Sequence, residues 1–193
     1  GKTESGAVWL DANRTSPYAF FQYWINVDDV DAGKCLRMLT ELSREEIETL
    51  DEARVAEPAR RESQRRLAEE LTRLVHGDEG LTAAQRATDI FFGAEISDLN
   101  DAQLQQIFAD VPSKELPATA LAGEGLPIVD ALVEAGLAKS KGDARRTVEQ
   151  GGAYVNNRRV DGLAVSLSAE HLASETVVVL RSGGAIVSLL KFV

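Results

Sequence analysis

Apolar side chains recur at helical spacing through the first 110 residues. Phe20, Phe21 and Trp24 form an apolar stripe behind Ser16-Pro17, a cap residue followed by a proline at the first helical position. Residues 43–46 read Ser-Arg-Glu-Glu, a capping box in which hydroxyl and carboxylate each accept a backbone amide hydrogen bond. This part of the chain is therefore predicted to be mainly α-helical. Further helix starts are predicted at Asp29, Glu57-Pro58, Thr82 and Asn100. Gly77 is predicted to end the helix that begins at Glu57-Pro58.

The helical pattern is broken between residues 111 and 125, which we predict to be a linker. Three prolines and two glycines interrupt any periodicity in and beside this stretch. They are Pro112, Pro117, Gly123, Gly125 and Pro127.

Short helices followed by strands are predicted after the linker. Ile128 and Leu132 indicate a short helix that ends at Gly136, and Ser140 caps a second helix that runs to about Gln150. A strand is predicted over residues 153–156, and a hairpin over residues 177–192 around Ser182-Gly183-Gly184. The predicted fold class is a mainly α N-terminal domain joined to a small α+β domain.

The charge of the chain is unevenly distributed. The net charge of −10 argues against nucleic acid if it is taken as a whole. Residues 1–125 contain 13 basic and 24 acidic side chains, a net charge of −11, whereas residues 126–193 have +1. Residues 139–159 alone have six basic and two acidic side chains, or +4. A local basic surface on an acidic protein is typical of an RNA-binding site.

Other function classes find no support in the composition. No apolar run approaches the roughly 20 residues that a membrane-spanning helix needs. Cys35 is the single cysteine, so no internal disulfide is possible and a reducing cytoplasm is the expected location. With one cysteine and two histidines, we predict no metal site.

The basic cluster of residues 139–159 is the candidate RNA-binding site. Lys139 and Lys141 flank the predicted start of a helix, where free amides and the helix dipole favour phosphate. Arg145 lies one turn after Lys141 on the same face. A solvated charged helix is the alternative interpretation. The candidate RNA-binding residues are Lys139, Ser140, Lys141, Arg145, Arg146, Asn156, Asn157, Arg158 and Arg159.

The same stretch resembles the S-four-like domain, a small RNA-binding domain first known from a ribosomal small-subunit protein. That family has a Gly-Leu-Ala-x-Ser-Lys/Arg turn, an Ala-Arg helix, Gly-Gly and Val-Asn-Gly, and the resemblance extends from Leu126 to about Gly162. Asn157 replaces the usual last glycine of this pattern. Asparagine tolerates a left-handed backbone better than most residues, so the turn is expected to persist.

The whole chain is similar to bacterial tyrosyl-tRNA synthetases. Residues 1–11, Gly-Lys-Thr-Glu-Ser-Gly-Ala-Val-Trp-Leu-Asp, resemble the segment at and after the Lys-Phe-Gly-Lys-Thr/Ser signature of that family. Thr15–Tyr18, Trp24–Asn26, Leu74–Gly77 and Asp110–Pro112 also resemble it, in the same order. The resemblance implies that Lys2 is the second lysine of a mobile catalytic loop, where it stabilises charge on the pyrophosphate leaving group.

The resemblance also implies a division of the chain. Residues 1–14 would be the end of the signature loop and a connector, 15–110 a helical anticodon-binding domain, 111–125 a linker, and 126–193 the S-four-like domain. The helical block would contact the anticodon stem, and the S-four-like domain the long variable arm of the tRNA.

The activity implied by the family is attachment of tyrosine to its tRNA through tyrosyl-adenylate, with ATP and Mg as cofactors. The nucleotide-binding half is absent from this sequence, so the portion alone is expected to be non-catalytic and to need no cofactor. Tyrosine tRNA is the expected partner, and the parent enzyme is expected to be a homodimer. Two alternatives remain: an S-four-like protein that binds ribosomal or other structured RNA, and a helical protein-interaction module.

Overall fold

A computed structural model describes residues 7–109, 111–183 and 186–193, and the chain forms two compact units, Gly1–Thr88 and Asp89–Val193. The sequence-based fold class is confirmed, since helices dominate the first unit and the second combines helices with a small mixed sheet. The α-helices are α1 Pro17–Ile25, α2 Asp29–Leu39, α3 Arg44–Ala56, α4 Glu62–Phe91, α5 Asp101–Ile107, α6 Ile128–Glu134 and α7 Lys141–Glu149.

The first three helices begin near the predicted residues. Ser16 caps α1, its Oγ accepting a hydrogen bond from the amide of Ala19 (3.2 Å). The predicted capping box at the start of α3 is confirmed, because Ser43 and Glu46 exchange both expected hydrogen bonds. A sequence stretch that satisfies its own free amides in this way begins a helix independently of tertiary packing.

Helix α4 departs from the prediction at its start and after Gly77. Pro58–Arg60 form a 3-10 turn, and Arg61 has a left-handed φ of 51°, so α4 begins only at Glu62. Gly77 interrupts the helical backbone, as predicted, with φ 72° and ψ −179°. The predicted start at Thr82 is wrong, because that residue lies inside the helix and its hydroxyl donates to the Asp78 carbonyl (2.9 Å).

The core of the first unit is formed by the apolar faces of α1 to α4. One cluster consists of Phe20, Leu36, Ile47, Leu67 and Leu71, and a second consists of Phe21, Ala68, Leu81 and Ala84. The stripe of aromatic residues predicted on α1 therefore supplies two buried side chains, Phe20 and Phe21, to the two clusters. Burial of such apolar area is the main stabilising contribution.

The second unit is built around a five-stranded sheet with strand order β1-β7-β6-β3-β4. Strand β1 is parallel to β7, and the other pairs are antiparallel. A two-stranded sheet pairs β2 with β5. The strands are β1 Ser113–Leu116, β2 Leu126–Pro127, β3 Ala153–Val155, β4 Arg158–Arg159, β5 Ser166–Leu167, β6 Val177–Ser182 and β7 Ile186–Phe192.

The core of the second unit lies between this sheet and helices α6 and α7. Ile128, Leu132, Val148, Leu180 and Leu190 are among its buried side chains. The β6–β7 hairpin is confirmed, although Gly184 of the predicted turn and Ala185 of the predicted second strand lie outside the described residues.

The predicted linker contains structure of its own. Ser113–Leu116 form an edge strand whose partners are on β7, and Leu121 is buried in the core of the second unit. The hydrogen-bonding partners of this strand lie at the far end of the chain, so no local pattern indicates the pairing. Prolines at residues 112 and 117 flank the strand and leave its amides free to pair.

Candidate nucleic-acid interface

The start of α7 is fixed by two reciprocal hydrogen bonds. The amide of Asp143 donates to Ser140 Oγ (3.2 Å), and the amide of Lys139 donates to Asp143 Oδ2 (3.1 Å). Ser140 therefore acts as the N-cap that defines where the helix begins. This cap determines which way Lys139 and Lys141 project at the helix start.

Four of the predicted basic side chains are exposed along α7. Lys141 pairs with Asp130 of α6 (2.7 Å), and Arg146 lies 3.9 Å from Asp143. Within the described part of the chain, no carboxylate lies within ion-pairing distance of Lys139 or Arg145. Ion pairs as exposed as these contribute about 0–1 kcal/mol, so a phosphate can replace the carboxylate.

The turn between β3 and β4 consists of the two predicted asparagines. Asn156 has φ 49° and Asn157 has φ 64°, and the register pairs Val155 with Arg158. Two successive left-handed residues are the requirement of a type I′ hairpin turn. The expectation that asparagine supports this turn in place of glycine is confirmed.

The side chains of both asparagines are occupied within the protein. Asn156 Nδ2 donates to the His171 carbonyl (2.6 Å), and its Oδ1 accepts from the Val179 amide (2.9 Å). Asn157 Nδ2 donates to the carbonyls of Ile90 (2.9 Å) and Ala94 (2.7 Å). These amide groups shape and anchor the turn, whereas Arg158 and Arg159 beside it are exposed.

Arg181 is a residue of this region that the sequence reasoning missed. It is only 4% exposed, and its guanidinium donates to the carbonyls of Ile90 (3.1 Å) and Phe91 and to Asn157 Oδ1. Burial lowers the pKa of Arg181. A charged residue directly after four apolar residues in a strand was the available signal, since such a residue needs buried partners.

The two arginines that follow the turn have different neighbours. The guanidinium of Arg159 lies over Gly151, just beyond the C-terminal end of α7, where an added Cβ would be 1.5 Å from Arg159 Nη2. Arg158 forms an ion pair with Glu95. A nine-residue helix is about 13 Å long, so the basic side chains form a row along α7 rather than a single point.

Lys2 lies outside the described residues, and its catalytic role stays a prediction. In the ranges 7–109, 111–183 and 186–193, no group of three or more His, Cys, Asp or Glu side chains is placed to hold a metal ion. None of the helices formed by these residues is sufficiently long and apolar to cross a membrane.

Two protein-family models match the chain in succession. Residues 1–93 match the model described as tRNA synthetases class I (W and Y), and residues 103–185 match the tyrosine–tRNA ligase SYY-like C-terminal domain. The second match contains α7, the β3–β4 turn and Arg181.

Individual proteins agree with the family models. A tyrosine–tRNA ligase of Rhodopirellula baltica is 54% identical over 191 residues, which are 99% of this chain and 44% of that protein. A tyrosine–tRNA ligase of Roseiflexus castenholzii is 47% identical, covering 100% of this chain and 46% of that protein. The chain thus spans less than half the length of these relatives. A C-terminally truncated Aspergillus nidulans mitochondrial tyrosyl-tRNA synthetase is 31% identical over 45% of this chain and 25% of that structure, with a TM-score of 0.43.

Proposed function

Because the chain belongs to the tyrosine–tRNA ligase family, we propose that it is the tRNA-recognition portion of such a ligase. The whole enzyme would attach tyrosine to its tRNA through tyrosyl-adenylate, using ATP with Mg, in the cytoplasm and as a homodimer. The proposal assigns anticodon-stem binding to residues 15–110 and variable-arm binding to residues 126–193. The adenylate chemistry is assigned to the catalytic half of the ligase rather than to this portion.

The observation that carries the proposal is the row of exposed basic side chains along α7. Arg145 and Arg146 lie in the middle of this row, with Lys139 and Lys141 at its start. Phosphate contacts of this kind supply most of the sequence-independent affinity of nucleic-acid binding. The sequence on either side of the row is net acidic, which lowers non-specific RNA binding outside the assigned surfaces.

The roles within the row differ. Lys139, Lys141, Arg145, Arg146 and Arg159 are assigned to phosphate contacts. Ser140, Asn156 and Asn157 are assigned to the geometry of the helix start and the turn, because their side-chain groups accept or donate hydrogen bonds inside the protein. Arg158 can contact RNA only by giving up its exposed pair with Glu95, which costs little.

Reversal of two charges in the row tests the proposal. The variant with Arg145→Glu and Arg146→Glu should bind tyrosine tRNA at least about ten-fold more weakly than the wild type, because two phosphate contacts become repulsive. The slope of log affinity against log salt concentration should also flatten by about two. Binding is measured by fluorescence anisotropy with labelled tRNA.

The matched control reverses two exposed basic residues outside both ranges that are assigned to tRNA binding. Arg14 lies in residues 1–14 and Lys114 in residues 111–125, so Arg14→Glu and Lys114→Glu change the net charge by the same amount elsewhere. Equal affinity loss in both double variants would mean that only net charge matters and would overturn the assignment of α7. Unchanged affinity of the α7 variant would contradict the proposal directly.

A further inference from the structure

A groove of about 600 Å³ lies beside the β3–β4 turn in the second unit. Apolar side chains, among them Val155 and Leu172, form part of its wall, and polar side chains line the rest. The polar side chains that matter here are Arg159, Asp161, Glu170 and His171. The volume is within the range of about 300–1,000 Å³ that is usual for sites of small molecules.

The two carboxylates in this groove have no evident structural role. Asp161 and Glu170 are exposed, and in the described ranges neither has an ion-pair partner, although Arg159 lines the same groove. A groove that followed the RNA backbone would place these carboxylates against phosphates and lose affinity by like-charge repulsion. Groups other than phosphate are therefore the better complement to this surface.

The groove offers hydrogen-bond donors as well as acceptors. His171 Nδ1 accepts a hydrogen bond from the amide of Ser168 (3.1 Å), so the neutral ring carries its proton on Nε2. Arg159 supplies guanidinium donors and the two carboxylates supply acceptors. The edge of a nucleobase presents the same mixture, since amino groups donate to carboxylates and ring nitrogens or carbonyls accept from arginine.

We propose that this groove binds one unstacked nucleobase of the RNA held along α7, a base that carries an exocyclic amino group. Asp161 and Glu170 accept hydrogen bonds from the amino edge, Arg159 bridges the base and its phosphate, and the apolar wall packs against the base. Sequence-specific RNA recognition uses splayed-out bases in this manner. The inference rests on the proposed function and deepens it by adding a base contact to a surface of phosphate contacts.

Removal of both carboxylates tests the inference, because a bound base and a bound phosphate predict opposite changes in tRNA affinity. The variant with Asp161→Ala and Glu170→Ala should bind tyrosine tRNA about ten-fold more weakly, as expected for a lost base contact. Its log–log salt slope should equal that of the wild type, since hydrogen bonds to a base release no counterions. If the groove held phosphate, the same variant would bind more tightly than the wild type.

The matched control removes two carboxylates of the same unit that lie outside the groove. Glu115 and Glu124 are exposed and have no ion-pair partner in the described ranges, so Glu115→Ala and Glu124→Ala produce the same change in net charge. This control should bind tRNA as tightly as the wild type or slightly more tightly. Equal affinity of the two double variants, or tighter binding by the groove variant, overturns the inference.

The groove inference and the proposed function can fail independently, because separate variants test them. If the Arg145→Glu, Arg146→Glu variant loses affinity and the groove variant does not, the groove inference fails and the proposed function stands. If the wild-type chain does not bind tyrosine tRNA at all, both fail.

Discussion

Arg181 is the side chain on which the geometry of the β3–β4 turn most depends. Its guanidinium satisfies two carbonyls at the end of α4 and also holds Asn157, which forms half of the turn. A cation at the C-terminal end of a helix is also favoured by the helix dipole. The turn that precedes Arg158 and Arg159 is thus held in place by the buried guanidinium of Arg181.

Replacement of this arginine by an apolar side chain should therefore destabilise the second unit. We expect Arg181→Met to lower the free energy of unfolding by about 3 kcal/mol, because buried carbonyl acceptors lose their donors. Urea denaturation followed by circular dichroism measures the change. Arg158→Met is the matched control, since its exposed ion pair contributes about 0–1 kcal/mol. Similar losses in both variants would show that the buried hydrogen bonds contribute little.

The asparagines of the turn show where reasoning from sequence succeeds and where it ends. The left-handed backbone at Asn157 could be predicted, because it is a property of the residue and its turn. The roles of the two side chains could not. The partners of Asn157 are Ile90 at the end of α4 and Ala94 after it, 67 and 63 residues away, and the Val179 amide is 23 residues from Asn156. The candidate RNA-binding set therefore included two residues whose polar groups are used internally.

Helices and strands likewise differ in whether the contacts that form them lie nearby in the sequence. The capping boxes at Ser43 and Asn100 lie within four consecutive residues, and both are present in the structure. Thr82 has a similar sequence context but lies within α4, because the helix resumes immediately after Gly77. Strand β1 was missed because its hydrogen bonds go to β7, more than seventy residues away. Local hydrogen-bonding patterns therefore predict where helices start. The strand in the proline-rich stretch depends on pairing with a distant segment, which a local pattern does not indicate.

Helix α5 is attached to the segment before β6 through its first residue. Asp101 accepts hydrogen bonds from the Thr176 amide (3.0 Å), the Thr176 hydroxyl (2.6 Å) and the Ser174 hydroxyl. Burial raises the pKa of this carboxyl, but the hydrogen bonds from Ser174 and Thr176 outweigh burial and lower it below its ordinary value of 3.8. The attachment of α5 therefore depends on the ionised form of Asp101.

This attachment predicts a defined dependence of stability on pH. A carboxyl whose pKa is lower in the folded state stabilises the fold above its unfolded-state pKa and loses that effect as pH falls through the folded-state value. Asp101→Asn should lower the free energy of unfolding by about 1–2 kcal/mol at neutral pH. The difference from the wild type should shrink progressively below about pH 4.

Urea denaturation at a series of pH values measures this effect. Glu124→Gln provides the control, because this exposed glutamate has no ion-pair partner among the described residues. A difference between Asp101→Asn and the wild type that stays constant down to pH 2 would show that the ionised carboxylate is not what attaches α5.

The charge distribution of the complete chain governs how it should respond to salt. Residues 1–125 carry a net charge of −11, which weakens non-specific RNA binding, while residues 139–159 carry +4 and attract phosphates. The salt dependence of binding therefore reports mainly on the few phosphates that the basic row contacts. A binding site of this size should give a moderate salt slope, well below that of proteins that neutralise many phosphates.

We therefore predict that affinity for tyrosine tRNA falls with a log–log salt slope of about −4.5, from about five phosphate contacts. This slope corresponds to a roughly five-hundred-fold loss between about 50 and 200 mM salt. A tRNA with a short variable arm should bind more weakly and with a shallower slope, because it lacks the arm whose phosphates the row contacts. Equal affinity for both tRNAs would indicate that the chain binds structured RNA in general, because the basic row would then not distinguish one tRNA from the other. Salt-independent self-association without RNA binding would instead favour a protein-interaction role for the helical block, because apolar contacts between helices release no counterions.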